Sequence, residues 1–170
     1  PVCVGISILA IWHACPAQAG KDMQAEAQRI VSQYKTVMQQ PPGRVPSRDT
    51  VDGPLLGNGD LGVVMGGKPE AQRFWISKNN FWRLIDGHRT GGPRLFGGLE
   101  VDIPALAGGT YLTEQDLYTA ITTSKFTKGD IAVVMRSIIS ATADVLLVEL
   151  SATGSPVEVE TKLWAAPGRG

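Results

Sequence analysis

The sequence predicts a mainly β protein, an antiparallel β-sandwich preceded by a signal peptide and one short helix. After Leu61, short runs carry apolar residues at every second position, the period of a strand that buries one face. Turn signals rich in Gly, Pro and Asp separate these runs, and no helical period of about ten residues follows Gln40. Regularly spaced short strands without intervening helices indicate a sandwich and not a parallel sheet.

The composition fits one domain with many turns. The 170 residues include 20 Gly and 11 Pro, and 16 Lys and Arg balance 16 Asp and Glu. A zero net charge argues against a nucleic-acid-binding surface, which needs a basic excess on one face. The length allows one domain, assigned to residues 46–170, after a helix and linker at 20–45. Because the chain stops one strand beyond a turn, we expect this domain to be incomplete at its C-terminus.

Residues 1–19 are predicted to be a signal peptide. They contain both cysteines and none of the chain's Lys, Arg, Asp or Glu. The apolar run Val2–Trp12 is shorter than the about 20 residues that span a bilayer, and Ala17-Gln18-Ala19 fits cleavage before Gly20. A buried strand, a short anchor or a lipoprotein acylated at Cys15 are the alternatives.

Cleavage after residue 19 would exclude several kinds of disulfide and metal site. Removal of residues 1–19 would leave no cysteine and His88 as the one histidine, so a disulfide framework, a thiolate zinc site and a two-histidine metal site are excluded. No pattern indicates a cofactor. The lack of cysteine and of an Asn-x-Ser/Thr sequon favours the periplasm or a bacterial exterior, with no membrane association after cleavage.

A helix is predicted over Lys21–Gln40, with Asp22 capping its first turn. Its apolar residues recur at spacings of three and four. They are Met23, Ala27, Ile30, Val31, Tyr34 and Met38. Pro41-Pro42-Gly43 ends this helix, and the stretch Arg44–Gly57 is predicted to be a loop.

Four later segments alternate as strands do. The first two contain Leu99, Val101 and Ile103, then Ile131, Val133 and Met135. Val145–Leu150 is apolar at both parities and is predicted to be central in its sheet, whereas Val157–Leu163 is predicted to have one wet face. The predicted turns are Gly66-Gly67, Gly91–Pro93, Gly108-Gly109, Lys128–Asp130 and Gly154–Pro156.

The segment Gly57–Gly62 spells the Gly-x-Gly-x-x-Gly pattern of dinucleotide-binding proteins. That chemistry needs a strand before the pattern and a helix N-terminus after it, to hold a pyrophosphate. Pro54–Leu56 is too short for that strand, and the β-branched Val63–Gly67 reads as a strand and not a helix. We interpret the glycines as a tight turn, in which Asn58 and Asp60 are ordinary residues.

A second unusual segment, Phe74–Arg83, combines aromatic rings, two adjacent amides and two cations. Alternation places Phe74 and Trp75 on opposite faces, and Asn79-Asn80 is predicted to form a turn. Sugars stack on aromatic rings and hydrogen-bond to amides, so the segment suits a carbohydrate site. The alternative is that Trp75 and Trp82 are core anchors and the asparagines only make the turn.

Together, Pro54–Gly67 and Ile76–Trp82 resemble the N-terminal domain of glycoside hydrolase family 95 and its relatives in family 65, and the likeness extends over residues 46–164. The resemblance implies a large β-sandwich, of the supersandwich type, that packs on a separate (α/α)6 barrel. It also implies that the barrel holds the catalytic residues of an inverting enzyme, α-L-fucosidase-like, so that no catalytic residue lies in this fragment and the fragment alone is inactive.

The same resemblance implies that loops 57–61 and 77–83 contact an oligosaccharide or glycoside substrate. Of the residues that it assigns to the substrate site, Asn58, Asp60, Asn79 and Asn80 would hydrogen-bond or brace, Trp82 would stack and Arg83 would steady a polar group. Two other classes stay open: a non-catalytic carbohydrate-binding or surface-adhesion sandwich, and a structural sandwich without a ligand.

Overall fold

A computed structural model describes residues 17–47, 50–83 and 92–166. This part of the chain contains one α-helix, α1 (Ala17–Val31), a short 3-10 helix, Pro104–Leu106, and ten strands. The strands are β1 (Lys35–Met38), β2 (Leu55–Gly57), β3 (Leu61–Lys68), β4 (Ala71–Arg83), β5 (Gly92–Asp102), β6 (Thr110–Asp116), β7 (Ile121–Lys128), β8 (Ile131–Ile139), β9 (Leu146–Thr153) and β10 (Glu160–Ala165).

The strands form two five-stranded antiparallel sheets that pack together, so the predicted β-sandwich is confirmed. Sheet I has the order β1-β6-β7-β8-β9, and sheet II has the order β10-β5-β4-β3-β2. Alternate side chains of both sheets form one core between them. Its buried apolar members are Leu56, Val63, Met65, Phe74, Val101, Ile103, Leu106, Tyr111, Phe126, Val133, Met135 and Ile139.

The two ends of the sandwich differ. We call the end with the β2–β3 turn (residues 58–60) and the β8–β9 loop (residues 140–145) the site end, and the opposite end, with the β7–β8 turn at 129–130, the distal end. On sheet I the core side chains near the distal end are apolar, whereas polar side chains are buried in the middle and toward the site end. These polar residues are Thr113, Gln115, Thr122, Ser124 and Ser137.

Two of these buried polar groups join neighbouring parts of the fold. Gln115 Nε2 donates to the Leu55 carbonyl at 2.6 Å and so links sheet I to sheet II. Thr113 Oγ1 and Ser124 Oγ lie 2.7 Å apart and share a hydrogen bond across β6 and β7. Hydrogen bonding offsets the cost of removing these groups from water.

The helix prediction is wrong over its second half. α1 begins at Ala17, so Asp22 lies inside it and does not cap it, and α1 ends at Val31. Residues Lys35–Met38 are predicted to continue the helix, but they form β1. This strand pairs with β6 in a register that sets Met38 opposite Thr113. The backbone pairing with β6 overrides a weak helical spacing, because Thr36 and Val37 are β-branched.

Strand and turn positions also need correction. The predicted loop Arg44–Gly57 includes β2. The predicted turn Gly66-Gly67 lies within β3, and the chain turns into β4 at residues 69–70 instead. The prediction that β9 is central is wrong, because β9 pairs only with β8 among the described residues and is therefore an edge strand of sheet I. Leu163 of β10 is 85% exposed, so apolar character there does not mark the buried face.

Candidate functional site

Two irregularities in the pairing of β4 with β5 build the candidate site. Ile76 pairs with Gly97 but Ser77 pairs with Leu95, so Phe96 is an extra residue on β5. Ser77 pairs with Leu95 and Trp82 with Pro93, so residues 78–81 of β4 lie opposite Arg94 alone. Bulges of this kind bend the strand and redirect side chains, here at the site end of sheet II.

Three exposed aromatic residues lie in or next to these bulges, and we call them the platform: Phe81, Trp82 and Phe96. The rings of Phe81 and Phe96 meet edge to face, with centroids 5.5 Å apart and planes at 80°. Trp82 is 55% exposed and Phe96 58% exposed. Trp82 Nε1 donates to the Asn79 carbonyl, which fixes one edge of the indole while its ring stays accessible.

Asn58 binds the two sheets together beside the platform. Its Oδ1 accepts from the backbone nitrogens of Asp60, at 3.0 Å, and Leu61, at 2.8 Å, which closes the β2–β3 turn. Its Nδ2 donates to the carbonyls of Ser140, at 3.0 Å, and Ala143, at 3.2 Å, in the β8–β9 loop of sheet I. The Asn58 amide is therefore fully engaged by the protein.

A lysine bridges two carboxylates at the same place. Lys78 Nζ lies 2.5 Å from Asp144 Oδ2 and 2.7 Å from Asp60 Oδ2. Hydrogen bonds to Asp144 and to Asp60 raise the pKa of Lys78, and the hydrogen bond from Lys78 lowers the pKa of Asp144. Lys78 and Asp144 therefore both stay charged at neutral pH, so Asp144 offers no proton there.

A groove of about 280 Å³ lies between the β2–β3 turn and residues 77–79 of β4. Its lining residues are Gly57, Gly59, Asp60, Leu61, Gly62, Ser77, Lys78 and Asn79. Gly59 has φ of +94°, and a Cβ there would contact nothing within 4 Å, so this wall of the groove is open backbone. Asn79 both lines the groove and accepts the Trp82 hydrogen bond, so the groove adjoins the platform.

The structure brings most of the predicted site residues to this end. Asn58 and Asp60 lie in the β2–β3 turn, and Asn79, Asn80 and Trp82 follow one another along β4. The predicted turn at Asn79-Asn80 is wrong, because both residues belong to β4 and their irregular conformation is a bulge. Arg83 ends β4, and its side chain lies outside the described residues.

The core-anchor alternative is wrong for both tryptophans of β4. Trp82 is exposed, and Trp75 is half-buried on the outer face of sheet II, where its ring lies over Gly66. Phe74, on the opposite face, is the buried core residue of this strand, as alternation predicts.

Sequence reasoning missed Lys78, Asp144, Phe81 and Phe96 as members of the site. Asp144 is 66 residues from Lys78, so no local pattern joins them. The signal that could have found the two phenylalanines is their place beside the paired amides and beside Gly97-Gly98. A sequence motif cannot show that both rings stand on bulges that meet.

Other observations bound the site. Within residues 17–47, 50–83 and 92–166, no group of three or more His, Cys, Asp or Glu side chains could hold a metal ion. Among the described helices none has the length and apolar character needed to cross a membrane. Residues 1–16 of the predicted signal peptide and His88 lie outside the described residues.

Comparison with known proteins gave no match, either to a family model or to a curated protein.

Proposed function

We propose that this chain is the N-terminal β-sandwich of an exported, inverting glycoside hydrolase, α-L-fucosidase-like, and that its site end shapes the substrate pocket. The catalytic residues lie in a separate (α/α)6 domain of the same protein. The observation that carries the proposal is the platform: three exposed aromatic rings on bulged strands, next to the amides of Asn79 and Asn80.

The chemistry of this end suits a sugar. The exposed Trp82 ring offers a flat surface for the C–H face of a pyranose. The Asn80 side chain is exposed, so its amide is available to sugar hydroxyls, which both donate and accept. The groove beside Asn79 has room for about one sugar ring.

The carboxylates of this end suit binding better than catalysis. Both Asp60 and Asp144 contact the Lys78 ammonium, within 2.7 Å, so their contacting oxygens are less than about 5.4 Å apart. An inverting enzyme separates its acid and base by about 6.5–9.5 Å, and its acid must carry a proton. This supports the assignment of catalysis to residues elsewhere in the protein.

A second function shares the platform: a non-catalytic carbohydrate-binding or surface-adhesion sandwich. It is favoured by the ion-paired state of Asp60 and Asp144, since a binding module needs no proton donor. The two functions differ in hydrolysis, which only the first requires of the full-length gene product.

The binding experiment titrates the 170-residue chain calorimetrically with 2′-fucosyllactose and, separately, with maltotriose. We expect binding of the fucosylated sugar and an about tenfold higher Kd for Trp82→Ala, since aromatic contacts contribute at this level. Val37→Ala is the matched control, because Val37 is an exposed apolar residue on sheet I. Equal Kd values for Trp82→Ala and the wild type would contradict the platform.

The hydrolysis experiment uses the full-length gene product. We expect Asn80→Ala to lower kcat/KM for an α-L-fucosyl substrate about tenfold without changing Tm, since one hydrogen bond to a substrate hydroxyl is lost. Sugar binding without any hydrolysis by the full-length product would favour the non-catalytic function. Neither binding nor hydrolysis would leave the structural sandwich.

A further inference from the structure

Lys78 begins a continuous path of polar contacts that ends at Trp82. Its ammonium holds the Asp60 carboxylate at 2.7 Å, and the Asp60 carbonyl accepts from the Asn79 nitrogen at 2.8 Å. The Asn79 carbonyl in turn accepts from Trp82 Nε1. The same ammonium binds Asp144, so the path connects the β8–β9 loop of sheet I with the platform on sheet II.

Regular strand pairing does not hold this part of β4. Pairing with β3 ends at Lys78, which lies opposite Leu61, and on the β5 side residues 78–81 face Arg94 alone. The bond from Asn79 to the Asp60 carbonyl is the first contact beyond the ladder with β3. Pairing with β5 resumes at Trp82, opposite Pro93, so the sheet holds the Trp82 backbone while the Asn79 carbonyl holds one edge of its indole.

We propose that Lys78 and Asp144 are positioning residues, which hold Trp82 in the orientation that stacks on a sugar and so couple the β8–β9 loop to ligand affinity. The sugar part of this inference rests on the proposed function, whereas the effect on Trp82 does not. A change in the loop would reach the platform through the ammonium, because Asp144 is the contact from sheet I to Lys78.

Electrostatics support the path over a wide pH range. The raised pKa of Lys78 and the lowered pKa of Asp144 keep both groups charged in neutral solution. Their side chains are about one-third exposed, 29% for Lys78 and 38% for Asp144, so water and salt weaken the pair without abolishing it.

The test uses the 170-residue chain labelled with 5-fluorotryptophan, and ¹⁹F spectra in which Trp82→Phe identifies the Trp82 resonance. Asp144→Asn and Lys78→Met should shift or broaden that resonance and leave those of Trp75 and Trp164 in place. Both variants should raise the Kd for 2′-fucosyllactose about fivefold or more, and Lys78→Arg should restore most of the affinity.

Asp130→Asn is the matched control, since Asp130 also braces a loop, through Ser155 at 2.7 Å, but at the distal end. A Trp82 resonance that is unchanged in both variants would overturn the proposal, and so would equal shifts of all the tryptophans, which indicate general loosening. A shifted Trp82 resonance in a chain that binds no sugar would support the positioning and refute the proposed function. An unchanged resonance in a chain that binds the sugar would do the reverse.

Discussion

At the β2–β3 turn, the Asn58 side chain uses both its oxygen and its nitrogen inside the protein. Asn58→Ala would leave two backbone nitrogens of the turn and two loop carbonyls without this partner. We expect a loss of about 1–2 kcal/mol in the free energy of unfolding, measured by urea denaturation. Asn80→Ala, which removes an exposed amide, should be nearly silent, and equal losses in both variants would contradict the brace.

Ser137 presents the opposite situation in the core of sheet I. Its Oγ is buried and has no hydrogen-bond partner in the described part of the chain. We expect Ser137→Ala to raise the free energy of unfolding by about 1 kcal/mol, because the desolvated hydroxyl is removed.

Ser124→Ala serves as the contrast, since Ser124 Oγ, on the same inner face of sheet I, shares a hydrogen bond with Thr113. This variant should lose about 1 kcal/mol. Calorimetric Tm values of the two variants should move in opposite directions. A lower Tm for Ser137→Ala would show that its hydroxyl has a partner, such as an ordered water.

At the scale of elements, the β3–β4 hairpin depends on Gly67. Its φ is +105°, and a Cβ there would lie 2.1 Å from the Ala71 carbonyl oxygen. We expect Gly67→Ala to cost about 3 kcal/mol, from backbone strain and this overlap. Gly59→Ala has a similar φ of +94° but open space, so it should cost only about 1 kcal/mol. Similar costs would mean that the hairpin shifts to admit the methyl group.

The alternation of apolar and polar residues predicted the strands that bury one face. It failed where the structure of a segment depends on the strand that pairs with it. β5 and β8 follow their patterns because their core residues, such as Val101 and Val133, repeat every second position. The helical spacing of Tyr34 and Met38 predicts a helix where β1 forms. This prediction fails because the spacing carries no information about pairing with β6. Edge and central strands likewise differ in their neighbours, which β9 does not encode in its own residues.

The site was predicted in part for the same reason. Asn58, Asp60 and the Asn79–Trp82 run are conspicuous in the sequence, and all lie at the site end. The β8–β9 loop could not be assigned to it, because Ser140 is 82 residues from the Asn58 side chain that binds it. Likewise, the bulges depend on the register between β4 and β5, which local patterns do not specify.

For the whole molecule, two carboxylates with lowered pKa values contribute to the acid limit of stability. Hydrogen bonds from Lys78 and from Ser155 lower the folded-state pKa of Asp144 and Asp130, respectively. Their stabilisation is therefore complete above the unfolded-state pKa of about 3.9, and it is lost as the pH falls through the folded-state values. The free energy of unfolding should be level between about pH 5 and pH 7 and fall below about pH 4.

Lys78 acts at the other limit. Its folded-state pKa is raised, so its contribution is complete below the unfolded-state value of about 10.4 and is lost as the pH rises further. Urea denaturation across the pH range should show a smaller acid loss for Asp144→Asn than for the wild type. A wild-type curve and a variant curve that run parallel below pH 5 would contradict this assignment.

The uneven core of sheet I has a consequence for motion. Near the distal end, Phe126 and Val133 exclude water through apolar burial, whereas Gln115, Thr122 and Ser137 occupy the layer toward the site end. Apolar burial contributes about 25 cal/mol per Å², and polar pairs contribute little net free energy. Local opening should therefore require less free energy around Ser137 than around Val133, and the amide hydrogen of residue 137 should exchange with deuterium before that of residue 133. The contacts that Asn58 and Lys78 make with the β8–β9 loop join the two sheets at the site end, and they would limit this local opening.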